Sequence, residues 1–69
     1  MGLSARNQLK GTVKSLIKGE VMAEVTIDLA GGETMVAAIT RGSAENLGLK
    51  PGDQVWAVIK ATEVMVLKE

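Results

Sequence analysis

Residues 21–29 carry the most constraining feature of this sequence, a regular alternation of side-chain character. The odd positions hold the aliphatic residues Val21, Ala23, Val25, Ile27 and Leu29. Between them lie Glu24, Thr26 and Asp28. A period of two places successive side chains on opposite faces of a β-strand. The segment therefore predicts a strand with one buried and one exposed face, which requires further strands beside it.

A second alternating segment precedes this one. From Leu9 to Ile17 the odd positions form an apolar face, whereas the even positions are mainly lysine and threonine. The residues between the two segments, Lys18-Gly19-Glu20, are typical of a tight turn. Two alternating segments joined by a short glycine-containing turn predict an antiparallel hairpin.

The rest of the chain predicts three more strands and one short helix. A paired-glycine turn at 30–33 leads into a strand at 34–40 that is apolar on both sides, so we expect both sides to be covered. Ser43 is the expected N-cap of a short helix that ends at Gly48. After a turn at Pro51-Gly52, two further strands are expected at residues 55–60 and 64–67.

These elements predict an all-β fold, a five-stranded OB-like Greek-key barrel with one short helix between strands 3 and 4. The whole chain, residues 1–69, is expected to form one domain. So small a core is marginally stable by itself, and the absence of cysteine excludes disulfide support. Self-association is the remaining support, and the apolar residues that the pattern leaves outside the core fit a subunit interface.

Composition excludes several functions. Without histidine or cysteine the chain cannot build a histidine-based triad, a thiolate nucleophile or a zinc site, so we expect a protein that is not an enzyme and has no direct metal ligands. Eight basic residues balance eight acidic ones, and Trp56 is the one aromatic residue, which disfavours nucleic acid as a partner. No membrane-spanning or secretory segment is visible, so a cytoplasmic location is expected.

Three short stretches are rich in hydrogen-bond donors. They are residues 4–8 (Ser-Ala-Arg-Asn-Gln), 40–43 (Thr-Arg-Gly-Ser) and 60–62 (Lys-Ala-Thr). Arginine, lysine, hydroxyl and backbone N–H groups are the donors that oxyanions prefer. Taken singly, each stretch is also explained as a chain terminus, a helix cap or an edge lysine. Together they predict an oxyanion site built from hydrogen bonds, without naming the anion.

The sequence resembles a known family at these same positions. Ser-Ala-Arg-Asn-Gln-Leu-Lys-Gly at 4–11, Ala-Ile-Thr at 38–40 and Val-Ile-Lys-Ala-Thr at 58–62 are similar to motifs of the Mop family, the molybdenum-pterin-binding proteins or molbindins. Leu-Gly-Leu at 47–49 and Pro-Gly at 51–52 extend the resemblance over nearly the whole chain. This family contains a TOBE-type molybdate- or tungstate-binding module.

The resemblance implies a cytoplasmic protein that stores molybdate or tungstate. The oxyanion would be its bound ligand, held by hydrogen bonds at subunit interfaces of a homohexamer, a trimer of dimers. The residues that match the family's oxyanion-binding positions are Ser4, Ala5, Arg6, Thr40, Lys60 and Ala61. The resemblance implies that the contacts of Lys60 and Ala61 come from a neighbouring subunit. Asn46 departs from the family's regulator branch, where an arginine stands, so one positive contact is absent here.

Two other functions remain open from the residues alone. A small OB-like module can bind another protein or a nucleic acid without storing an oxyanion, although neutral charge disfavours nucleic acid. A pterin ligand is the other alternative, but one aromatic ring offers little surface on which to stack it.

Overall fold

A computed structural model describes residues 4–69 and shows a mainly β protein with one short α-helix. The elements are β1 (Asn7–Lys18), β2 (Met22–Leu29), β3 (Thr34–Thr40), α1 (Arg41–Leu47) and β4 (Gln54–Ile59), followed by one turn of 3₁₀ helix at Ala61–Glu63. No helix within residues 4–69 is long and apolar enough to cross a membrane.

The strands form one antiparallel sheet in the order β3-β2-β1-β4. The sheet curls, so that residues of its two outermost strands line the same apolar groove of about 480 Å³. The buried core inside the curl consists of Val13, Val25, Ile27 and Ala57. This architecture agrees with the predicted OB-like fold, because β1 is long enough to pair with β2 along one half and with β4 along the other.

A β-bulge in β1 changes which side chains face the core. The register with β2 shifts between Val13 and Ser15, so one residue is added to β1 at this point. Beyond the bulge Leu16 lies opposite Val25 and packs against the core, whereas Ile17 is 65% exposed. The prediction that all odd positions from Leu9 to Ile17 share the apolar face is therefore wrong after Val13, because the added residue inverts the alternation.

Strand β3 is covered on one side within the single chain. Met35, Ala37 and Ile39 pack toward the core, as the alternation predicts. The opposite side is open, with Val36 59% exposed and Ala38 exposed. The expectation that both sides of this strand are covered is thus wrong for one copy of the chain, since no described element packs on the outer side.

The short helix begins earlier than predicted. Thr40, not Ser43, is the N-cap: its Oγ1 accepts a hydrogen bond from the backbone N–H of Ser43 at 3.0 Å. Ser43 thus supplies the third helical N–H, which is the donor that an N-cap hydroxyl usually satisfies. The predicted C-terminal stop is confirmed, because Gly48 caps the helix in the left-handed conformation with φ 63°.

The predicted fifth strand is absent among the described residues. Residues 64–67 are irregular and exposed, with Met65, Val66 and Leu67 each more than nine-tenths exposed. We call these four residues the C-terminal segment. A strand needs a neighbour that supplies N–H and C=O partners, and in this chain the segment reaches none. The prediction of a strand at 64–67 is therefore wrong, because a single copy provides no ladder for these residues.

Candidate functional site

Five of the six predicted site residues lie together at one end of the sheet. Asn7 pairs with Ile59 at the end of the β1–β4 ladder, so the residues just before β1 lie beside those just after β4. We call the group formed in this way the terminal cluster. Its members are Ser4, Ala5, Arg6, Lys60 and Ala61. Antiparallel pairing thus brings together stretches that are more than fifty residues apart in sequence.

Two amide side chains hold the backbone of the terminal cluster. Asn7 Nδ2 donates to the carbonyl oxygen of Ile59 at 3.2 Å and ties the start of β1 to the end of β4. Gln8 Nε2 donates to the carbonyl oxygen of Ala5 at 3.2 Å, which orients the peptide next to Arg6. Asn7 and Gln8 therefore position the cluster. The side chains of Arg6 and Ser4 make no hydrogen bond to another described residue.

The end of β4 leaves backbone donors free. Lys60 is the N-cap of the 3₁₀ turn in an extended conformation, and its carbonyl oxygen accepts from Glu63 N–H at 2.9 Å. The N–H groups of Ala61 and Thr62 have no acceptor among residues 4–69. Unpaired N–H groups at the start of a helical turn are available to an external acceptor. The late stretch of the chain thus offers an ammonium group next to two main-chain donors.

Both cations of the terminal cluster are free of carboxylates in the described part of the chain. Two ion pairs lie within residues 4–69, Arg41–Glu45 at 3.4 Å and Lys50–Asp53 at 2.9 Å. Neither includes Arg6 or Lys60. The second pair closes the turn before β4, where the hydrogen bond from Lys50 lowers the pKa of Asp53 below its ordinary value. Within residues 4–69, the positive charge of the terminal cluster is therefore not compensated by an ion pair.

Thr40, the sixth predicted site residue, does not lie in the terminal cluster. By register it is level with Met22, beyond the Lys18 end of β1, whereas Arg6 precedes the opposite end of that strand. The Thr40 hydroxyl donates to Ser43 Oγ at 2.7 Å. Since Thr40 Oγ1 also accepts from Ser43 N–H, the two residues form a closed pair, the cap pair, with one hydroxyl hydrogen on Ser43 left to donate outward.

Sequence reasoning did not include Ser43 among the site residues. It treated Ser43 as a helix cap, although the donor-rich stretch at 40–43 contained it. The missed signal was the spacing of the two hydroxyl residues: an N-cap threonine and a residue three positions later are brought together by the first helical turn. The structure therefore groups the candidate donors into two separate sets, the terminal cluster and the cap pair.

The small curled sheet has exposed, unpaired donors at both ends of its longest strand. This arrangement is more typical of a binding domain than of a catalytic one. Comparison with known proteins agrees. The TOBE domain family matches residues 3–66, and the chain belongs to this family. It is 51% identical to molybdenum-pterin-binding protein 3 of Clostridium pasteurianum over 67 residues, which is 97% of this chain and 98% of that protein. The predicted resemblance to the Mop family is thereby confirmed.

Two solved structures share the fold. A molybdate-binding protein from Sporomusa ovata is 51% identical, superposes with a TM-score of 0.94, and is matched over 99% of this chain and all of that chain. The cytoplasmic molybdate-binding protein ModG, crystallised with molybdate bound, is 51% identical with a TM-score of 0.85, over 88% of this chain and 43% of that one. These proteins are described by what they bind and not by a reaction.

Proposed function

We propose that this protein binds molybdate or tungstate and stores it in the cytoplasm as a homohexamer. The observation that carries the proposal is the terminal cluster, where two uncompensated cations and two free main-chain N–H groups meet at the end of one ladder. The name of one relative and the molybdate bound in the structure of another indicate the same class of ligand. Although the relatives are named for pterin binding, this chain offers little surface for stacking a pterin ring, because Trp56 is its single aromatic residue.

Charge supports a dianion as the ligand. Arg6 and Lys60 together offset two negative charges, and the guanidinium group of Arg6 adds a planar set of donors suited to oxyanions. No carboxylate pairs with either cation within residues 4–69, so an anion need not displace an existing ion pair. The cluster therefore favours a small dianion over a neutral or cationic ligand.

The donor inventory supports a tetrahedral oxyanion. Such an anion presents four oxygens, each able to accept more than one hydrogen bond. The proposed contacts from the terminal cluster are Ser4 Oγ, the Ala5 N–H, Arg6, Lys60 and the Ala61 N–H. None of these groups is acceptor-only, which distinguishes the cluster from a site for a metal cation. Molybdate and tungstate would thus be held through their oxygens, without protein ligands on the metal.

The separation of the donors supports a site between subunits. Thr40 is at the opposite end of β1 from Arg6 in one copy, so both sets meet one anion most simply when the cap pair comes from a neighbouring copy. The C-terminal segment supports assembly independently. It is apolar and almost fully exposed, while β3 and β4 each have one unpaired edge next to an apolar groove. Exposed apolar residues and free strand edges of this kind mark association surfaces.

Titration calorimetry with molybdate, tungstate and sulfate tests this function. Arg6→Ala is expected to weaken molybdate binding by about ten- to a hundred-fold, because a hydrogen bond to a charged group contributes about 1.5–3 kcal/mol. Lys14→Ala removes an exposed cation from β1, outside the cluster, and is the matched control. Circular dichroism of both variants checks that the fold is kept.

Two results would contradict the proposed function. Unchanged molybdate affinity in Arg6→Ala would remove Arg6 from the site. Wild-type protein that binds none of the three oxyanions would favour the other candidate, an OB-like module that binds a protein through its exposed apolar surface.

A further inference from the structure

Two patches on the outer surface of the sheet combine exposed apolar side chains with opposite charges. The first, the acidic face, lies across β1, β2 and β3. One row places Ile17 opposite Glu24 and Glu24 opposite Ala38, and the adjacent row ends at Val36. Ile17 and Val36 are 65% and 59% exposed, and Glu24 is exposed between them. The β-bulge is what turns Ile17 outward onto this face.

The second patch, the basic face, lies where the first half of β1 pairs with β4. Trp56 is opposite Lys10, and Val58 is opposite Gln8. Trp56 and Val58 are 56% and 43% exposed, and Lys10 is exposed. An exposed tryptophan flanked by a smaller apolar residue and a charge is the composition of an interface centre, where tryptophan contributes most often.

The charges of the two faces are unmatched inside one copy. No ion pair within residues 4–69 includes Lys10 or Glu24. The cross-strand neighbours of Glu24 on both sides are Ile17 and Ala38, which are uncharged. Unpaired charges next to exposed apolar side chains fit a contact made outside the chain better than a purely solvated face.

The sign difference extends beyond these two residues. Residues 1–18 contain basic but no acidic side chains, whereas residues 19–40 contain acidic but no basic ones. The basic residues are Arg6, Lys10, Lys14 and Lys18. The acidic ones are Glu20, Glu24, Asp28 and Glu33. Lys10 lies in the first half of β1 and Glu24 in β2, whereas Lys14 and Lys18 lie in the second half of β1, beside β2. The opposite charges that could align two copies are therefore those of Lys10 and Glu24.

We propose that the acidic face of one copy docks on the basic face of a second copy, with Glu24 against Lys10. The apolar side chains Ile17 and Val36 then cover Trp56 on the other copy. The occupant of each face is a second copy of this chain, because each face finds its complement in apolar content and in charge on the same molecule. This inference rests on the proposed self-assembly and names the surfaces that carry part of it.

The contact has a consequence for symmetry. Two different faces meeting in this way form a heterologous contact, which repeats from copy to copy until a ring closes. A contact in which the exposed C-terminal segments of two copies meet reciprocally is isologous and forms a pair. A closed ring of three copies, doubled by such pairs, makes a hexamer. The docking of the two faces therefore corresponds to the threefold contact and is separable from the twofold one.

Charge reversal tests the docking. Glu24→Lys and Lys10→Glu are each expected to weaken association of the ring by at least about tenfold and to leave dimers, because like charges then face each other. The double variant restores opposite signs and is expected to return to the hexamer. Glu33→Lys makes the same change of net charge in the β2–β3 turn, off the acidic face, and serves as the control. Native mass spectrometry at low ionic strength gives the assembly state, and circular dichroism checks folding.

The outcomes separate this proposal from the proposed function. If Glu24→Lys remains hexameric, or if both single variants dissociate and the double variant does not reassemble, the docking is wrong. Bound molybdenum is measured by elemental analysis on the same wild-type sample. A wild-type hexamer that retains no molybdenum would contradict the storage function alone, whereas a molybdenum-loaded hexamer of Glu24→Lys would contradict the docking alone.

Discussion

At the scale of single residues, the cap pair joins structure to proposed chemistry. Thr40 Oγ1 accepts the Ser43 N–H at 3.0 Å and donates its own hydrogen to Ser43 Oγ at 2.7 Å. The Thr40 hydroxyl thus both donates and accepts within the cap pair, and the Ser43 hydroxyl is the group left to donate outward. The resemblance assigned an anion contact to Thr40, and the geometry adds Ser43 as the group through which the pair would act.

Substitutions separate the two roles. Ser43→Ala keeps the backbone N–H that caps the helix, so we expect unchanged stability and an oxyanion affinity about tenfold weaker, since one hydrogen bond to a charged group is lost. Thr40→Val removes the cap itself and is expected to cost about 1 kcal/mol of stability as well. Urea unfolding and calorimetry measure both quantities. Full affinity in Ser43→Ala would mean that Ser43 makes no contact with the anion.

Gly11 lies where an added side chain would meet a neighbouring strand's backbone. A Cβ at this position would lie 2.6 Å from Ile27 Cγ2 and 2.8 Å from the backbone oxygen of Asp28. Backbone cannot yield as a flexible side chain can, so we expect Gly11→Ala to destabilise the protein by about 1–3 kcal/mol. Gly42, in the first turn of α1, has no atom within 4 Å of an added Cβ. Gly42→Ala is therefore the control, expected to be neutral or stabilising by up to about 1 kcal/mol. Equal stability of the two variants in urea unfolding would contradict this account.

At the scale of elements, the strands and the helix were predictable because their patterns are local. The alternation at 21–29 predicts β2, and Gly48 predicts the helix end. The bulge was not predictable from the alternation, because Leu16 and Ile17 are both apolar and fit either face. The N-cap was misassigned for a related reason: Thr40 and Ser43 are both good caps, and only the register of β3 decides between them.

The C-terminal segment shows how a local pattern can mislead when the chain provides no neighbouring strand. Residues 64–67 have strand character, but the chain places no partner beside them. Replacing Val66 and Leu67 together by Asp alters both faces of the segment. In one isolated copy these side chains are more than nine-tenths exposed, so the change should not affect folding. In an assembly that buries the segment, charges lose their hydration, and dissociation is expected.

Sedimentation velocity measures this effect. The conservative double variant Val66→Ile with Leu67→Met retains apolar character and is expected to keep the wild-type assembly. The same sedimentation coefficient for the aspartate variant and for the wild type would show that the segment takes no part in association. Loss of the native circular dichroism spectrum together with dissociation would show that assembly and folding are coupled in this protein.

At the scale of the whole molecule, the residue types of the terminal cluster were predictable, but its arrangement was not, because Lys60 and Ala61 were expected beside a neighbouring copy's Ser4 and Arg6. Its members come from the two ends of the chain, and five of the six residues assigned by resemblance lie together because β1 and β4 pair. The donor-rich stretches predicted an oxyanion, and the resemblance implied molybdate or tungstate. The separation of Thr40 from Arg6 was not predictable, since it depends on which end of β1 each residue lies beside in the folded chain.

A site divided between copies links binding to assembly. An anion that contacts the terminal cluster of one copy and the cap pair of another binds the assembled state more tightly than the separate chains. By mass action, such a ligand stabilises the assembly by an amount that grows with its concentration. Molybdate is therefore expected to raise both the stability and the oligomer fraction, whereas an anion that does not fit the site would change neither.

Native mass spectrometry of the wild-type protein, with and without added molybdate, tests directly whether the protein forms a hexamer that binds the oxyanion. We expect an assembly of six copies that gains several discrete oxyanion masses when molybdate is added, and that persists at lower protein concentration in its presence. A monomer whose mass does not change with molybdate, tungstate or sulfate would contradict both the assembly and the oxyanion site.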